Sequence, residues 1–129
     1  MSNPPPSPTP NNGRGLERMP PHALEVERAV LGATLIDQRA VGRAIELLDE
    51  RYFYHAAHSK IFQAIVALYE RNEPVDQLTL SEELKRRGQL QEIGDVIYLA
   101  TLASEVATAA NVDHHAKIVL EKALQRALI

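Results

Sequence analysis

From residue 22 onward the apolar positions recur every three or four residues, and that spacing predicts helices along the whole segment. A first helix is expected to begin near His22–Leu24, with Leu24, Val30, Leu31, Leu35 and Ile36 on its apolar side. Gly32 falls inside it at a cost of ~1 kcal/mol relative to Ala, which points to close approach of another backbone. Asp37 then serves as both stop and start, capping a second helix through Val41, Ala44, Ile45 and Leu48. Ile61, Phe62, Ile65, Val66, Leu68 and Tyr69 mark a central core helix, ended by Asn72 and a turn at Pro74. Thr79 with Glu82 has the spacing of a capping box, and Gly88 lies where a left-handed helix terminus belongs. After Gly94, "DVIYLATLASEV" predicts a further helix using Val96, Ile97, Leu99, Ala100 and Leu102. No stretch alternates with period two for long enough to predict a strand, so the fold class is all-α.

The last predicted helix starts at Asn111, a good N-cap, and no Gly, Asn or Pro follows to stop it. On a projection of ~100° per residue, Val112, Ala116, Val119, Leu120, Ala123, Leu124, Ala127 and Leu128 share one half of the helix. Glu121, Lys122, Gln125, Arg126 and His114 occupy the other half. So broad an apolar face, with three alanines on it, exceeds what a single neighbour covers. Burial stabilises by ~1.5–3 kcal/mol per Val or Leu side chain. The eight residues are therefore expected to form a protein interface with a partner helix, from another subunit or from further sequence. The plainer alternative is that the helix closes the core of its own domain.

Composition changes the picture at the N-terminus. Seven of the eight prolines lie in the first 21 residues, beside Asn, Gly and Ser and few apolar residues. Residues 1–20 are expected to be a disordered, Pro-rich arm, because they cannot bury enough surface to offset the entropy of ordering. Residues 21–106 then form a helical head, and 107–129 the last helix. The 129 residues suit one domain rather than two. A formal charge of −3 argues against a general nucleic-acid-binding surface. Without cysteine there are no disulfides or thiolate metal sites, which suits a cytoplasmic location. No apolar run approaches the ~20 residues a membrane span requires.

Candidate chemistry is sparse. His55 and His58 share an i, i+3 face, but no third ligand completes a metal set, so hydrogen bonding near a helix N-terminus accounts for them better. His114 and His115 diverge by ~100° around a helix and are expected at the surface. The "KRR" at 85–87 suits the last turn of a helix, where cations meet the helix dipole; an acidic partner is the alternative. A helix-turn-helix reading of residues 79–105 fails for want of donors, since Asp95 to Glu105 contains no Lys or Arg. The six glycines form no phosphate loop, and no nucleophile stands with a base. The chain carries no catalytic, cofactor or metal site of its own.

Five segments together resemble the N-terminal domain of the bacterial replicative DNA helicase, the DnaB type. They are "PPHALEVERAVLGATLID", "FYHAAHSKIFQAIVALYERNEPVD", "LTLSEELKRRGQL", "YLATLA" and "AANVDHHAKIVLEKALQRALI", in that order over residues 20–129. The resemblance implies a helical head followed by a helical hairpin, with Asn111 to Ile129 as the hairpin's first helix. It implies self-association in pairs that build the collar of a hexameric ring, docking of primase, and a helicase loader as a further partner. The parent would be an ATP-dependent enzyme unwinding duplex DNA at the replication fork. ATP and Mg²⁺ would serve an ATPase domain beyond this chain, and DNA would pass through the ring rather than bind this domain. Departures are Gly94-Asp95 in place of a frequent Gly-Gly pair, Thr108 after Ala107 where Pro-Ser is common, and Leu120 where Arg is frequent. The competing reading is a free-standing helix-turn-helix DNA-binding regulator.

Overall fold

The computed structural model describes residues 23–128. They form six α-helices: α1 (Leu24–Ile36), α2 (Gln38–Leu47), α3 (Ala56–Glu70), α4 (Gln77–Arg86), α5 (Asp95–Ser104) and α6 (Val112–Ala127). A single 3-10 turn, Glu50–Tyr52, links α2 to α3. There is no strand among the described residues, in keeping with the all-α expectation. The proposed Pro-rich arm lies outside the described residues.

Local chemistry explains most boundaries. Asp37 ends α1 and caps α2, its side chain accepting from the Arg39 N–H at 2.9 Å. Both α3 and α4 end in the same paired-carbonyl turn. At α3 the N–H groups of Asn72 and Glu73 donate to the carbonyls of Tyr69 and Leu68, with Asn72 at φ 60°. At α4 those of Gly88 and Gln89 donate to Lys85 and Leu84, with Gly88 at φ 72°. The capping box of α4 differs from the one expected at Thr79 and Glu82. Asp76 is the cap, accepting from Thr79 N–H at 2.8 Å, while the Thr79 hydroxyl accepts from Asp76 N–H at 3.0 Å. Asn111 stands at the N-cap of α6, as the sequence reading has it, but makes no side-chain cap bond there.

Helix α3 runs through the centre, burying Ile61, Phe62, Ile65 and Leu68. These share one core with Val30 and Leu31 of α1, Val41 and Ala44 of α2, Leu80 and Leu84 of α4, and Leu99 and Leu102 of α5. Helix α1 is covered on two sides. A Cβ added at Gly32 would stand 2.3 Å from the Leu102 carbonyl oxygen, so α5 crosses directly over that glycine, as the sequence led us to expect. On α1, α3 and α5, five residues assigned to apolar faces lie instead toward solvent: Ile36, Tyr69, Val96, Ile97 and Ala100. The helical period identifies a face correctly; how far around it the neighbours reach is decided by their size and tilt. At the start of α5, its N-cap Gly94 (φ 113°) and first residue Asp95 (φ 65°) are both left-handed.

Candidate functional site

Helix α6 lies against α1 and α2, and the structure divides its apolar stripe in two. Val112, Ala116 and Val119 are buried in the chain's own core, and Leu120 packs on its margin. Val112, Ala116 and Val119 thus face the chain's own helices, while Leu120 keeps part of its surface open. The distal part remains open: Ala123 is half-buried, Ala127 exposed, Leu124 57% exposed and Leu128 87% exposed. Two such leucines on a helix whose other side is charged leave several kcal/mol of burial unrealised, at ~1.5–3 kcal/mol each.

Polar contacts fix α6 to the head at both ends. Near its start, Asp113 receives a forked pair from Arg43, Nε at 3.0 Å and Nη2 at 2.9 Å, and this holds its carboxyl below the usual range. Near its end, Arg126 Nη2 donates to the Tyr52 carbonyl at 2.7 Å. A shallow groove between the 3-10 turn and α6 is lined by Arg51, Tyr52, Ala123, Leu124 and Arg126.

The histidine pair of α3 has a role the sequence only half disclosed. His58 is fully buried, with Nδ1 2.8 Å from Glu27 Oε1 and Nε2 2.6 Å from the Tyr98 hydroxyl. Glu27, 2% exposed, also accepts the N–H groups of Tyr54 at 2.6 Å and His55 at 3.3 Å. One carboxylate thus joins α1, the start of α3 and, through the imidazole, α5. Burial pushes the Tyr98 phenol above its ordinary value. Every polar atom of this cluster has a structural partner, as buried groups require. Sequence reasoning missed Glu27; its signal was a carboxylate three and four residues before Val30 and Leu31, on the face that must be buried.

The "KRR" cluster also has an internal explanation. Arg86 and Arg87 both pair with Glu83 one turn earlier, and Arg71 from the end of α3 joins them at 2.8 Å. Glu83 is 4% exposed, and these bonds, Arg71 foremost, hold its carboxyl down at about 2. His114 is exposed and His115 half-buried on α6. Among the described residues no group of three His, Asp or Glu side chains is placed to hold a metal ion. Among the described residues no helix is long and apolar enough to cross a membrane. The outer side of α5 presents Val96, Ile97 and Ala100 without a positive charge, a poor surface for reading DNA.

The model of the DnaB-like helicase N-terminal domain matches residues 19–121. The chain belongs to that family. As a member of the DnaB-like helicase N-terminal domain family it is 53% identical over 109 residues to the replicative DNA helicase DnaB of Rhodothermus marinus, covering 84% of this chain and 12% of that protein. It is 50% identical over 113 residues to the replicative DNA helicase DnaB of Geobacillus stearothermophilus, covering 88% of this chain and 25% of that protein. The crystal structure of the N-terminal domain of DnaB helicase from Mycobacterium tuberculosis superposes with a TM-score of 0.82 at 46% identity, over 85% of this chain and 80% of that one. The chain spans a quarter or less of the length of these two curated relatives. The DnaB-like domain therefore accounts for the fold, while α6 carries the surface that the fold leaves open.

Proposed function

We propose that the chain is the assembly domain of a hexameric, ATP-driven replicative DNA helicase, and that it self-associates through the distal face of α6. The observation that carries this reading is the exposure of Leu128 and Leu124 beside small Ala123 and Ala127 on one face. Small residues let a second helix approach closely, and the leucines supply the burial that holds it. On this reading the domain is non-catalytic. ATP and Mg²⁺ serve an ATPase domain of the whole protein, which unwinds DNA in the cytoplasm, and primase and a helicase loader dock on the collar.

Sedimentation equilibrium over a wide concentration range tests the association. The chain is expected to form dimers or larger species, and the paired substitution Leu124→Asp with Leu128→Asp to return it to monomer with its helical spectrum intact. A strictly monomeric chain, or association indifferent to that pair, overturns the reading. Val119 is unsuited to the test because it is 2% exposed, and a charge there would unfold the head instead. Titration with a primase C-terminal domain tests docking separately; no binding by an associated chain removes primase from the proposal.

A further inference from the structure

Past Leu120, no described residue of α6 is fully buried. Leu128 lies nine positions beyond Val119, the last core anchor. At ~1.5 Å per residue that lever is ~13 Å long, so a tilt of ~20° about Val119 would move Leu128 by ~5 Å. Such a displacement exceeds the ~4 Å within which apolar side chains make contact. The course of distal α6 must be held by something other than core packing.

A short, doubly gripped segment stands beside it. From the inner side, Glu27 captures the N–H groups of Tyr54 and His55 and is itself held by His58. From the outer side, Arg126 donates to the Tyr52 carbonyl at 2.7 Å, and its guanidinium carbon lies 5.5 Å from the centre of the Tyr54 ring. Residues 52–55 are thus a fixed post, tied to buried carboxylate on one side and to α6 on the other. Arginine suits this position for a chemical reason. Its planar guanidinium donates along its edges while a face covers an aromatic ring, whereas a lysine ammonium is a single point donor.

We infer that Arg126 is a positioning residue that sets the course of the outer half of α6, and so fixes the direction in which Leu124 and Leu128 are presented. The second half of this inference rests on the self-association proposed above; the first half stands without it.

Hydrogen exchange of the backbone amides of residues 121–128 tests the first half, on the 129-residue chain at a concentration where it is monomeric. Arg126→Ala is expected to speed their exchange about tenfold, the scale of one hydrogen bond lost from a charged donor. Protection in α1 and α3 should stay unchanged. Alanine is the best helix former, so a loss of protection there cannot arise from propensity. Tyr54→Leu should give a smaller acceleration, and Arg126→Lys should recover part of the protection. Unchanged distal exchange in Arg126→Ala overturns the inference, whatever the chain's association does. Sedimentation of the same variant tests presentation: association should weaken about tenfold with every exposed apolar residue intact. Faster distal exchange with wild-type association would overturn the link to presentation. A wild-type chain that never associates would defeat the proposed function while leaving the exchange result to decide the positioning role.

Discussion

Replacing Gly32 by alanine should destabilise the domain although it improves the helix. The added Cβ would lie 2.3 Å from the Leu102 carbonyl oxygen and 2.5 Å from Val106 Cγ2. Carbon–oxygen contacts settle at ~3.3 Å or more, so the first contact is short by ~1 Å. Val106 has a side chain that can turn away. Leu102 offers a helix carbonyl, which moves only with α5. Opening α1 from α5 by ~1 Å forfeits a quarter to a half of the dispersion energy across that seam, where Leu31, Leu99 and Leu102 are at most 1% exposed. Overpacking that forces backbone to shift costs up to ~3 kcal/mol. Helix propensity returns ~1 kcal/mol, leaving a net loss of up to ~2 kcal/mol. Gly42 supplies the control, because its nearest neighbour to an added Cβ is the Tyr69 hydroxyl at 3.5 Å, an ordinary contact. Gly42→Ala should gain ~0.5–1 kcal/mol from propensity and from a less flexible unfolded chain. Urea unfolding followed by circular dichroism measures both. Equal stability for the two variants, or a Gly32→Ala protein as stable as the parent, would refute the reasoning.

Two further outcomes are expected. Glu83 has its carboxyl lowered from 4.5 to about 2, so its contribution is complete above pH 4.5 and is lost as pH falls toward 2. With half-exposed arginine partners screening the interaction, that contribution is ~1–3 kcal/mol. Glu83→Gln should remove it at pH 7 and flatten the fall in urea midpoint between pH 5 and pH 3; an unaltered slope would show that other carboxylates carry the acid response. Asp95 holds φ 65° while its side chain accepts from the Val96 N–H at 2.7 Å. Relief of the left-handed strain, ~1 kcal/mol, should outweigh that bond, so Asp95→Gly gains ~0.5 kcal/mol in the same unfolding assay. A loss beyond ~1 kcal/mol would mean that the Asp95 bond, not backbone strain, dominates there.

What could be read from the chain depended on how local its cause is. Asp37 and Gly88 were legible because a cap and a left-handed turn are settled within a few residues. Gly32 was legible for a different reason: a glycine inside a good helix demands a tertiary cause, and one was found. Asp76 and Thr79 are both good caps three residues apart, and the sequence does not say which begins the helix. Val96 and Ile97 were assigned to the core because period tells the face but not the extent of the neighbours. The same limit governs the candidate site. An apolar stripe from Val112 to Leu128 is visible in the sequence, yet its division between α1, α2 and open surface depends on where those helices end. Glu27 was passed over because a lone acid on an apolar face gains meaning only when His58 and two backbone N–H groups meet it.

That meeting constrains how the chain can vary. Glu27 receives three N–H donors, so His58 offers it the Nδ1 hydrogen, and the other ring nitrogen is left to the Tyr98 hydroxyl. Tyr98→Phe leaves that nitrogen without its partner, His58→Leu takes one of three donors from Glu27 and the ring partner from Tyr98, and Glu27→Leu leaves Tyr54 and His55 with unanswered amides. Each single step passes through a form less fit to fold than either end. Positions 27, 58 and 98 should therefore drift together among relatives, kept as a set or exchanged as a set, and a chain that differs at one of them should differ at the others.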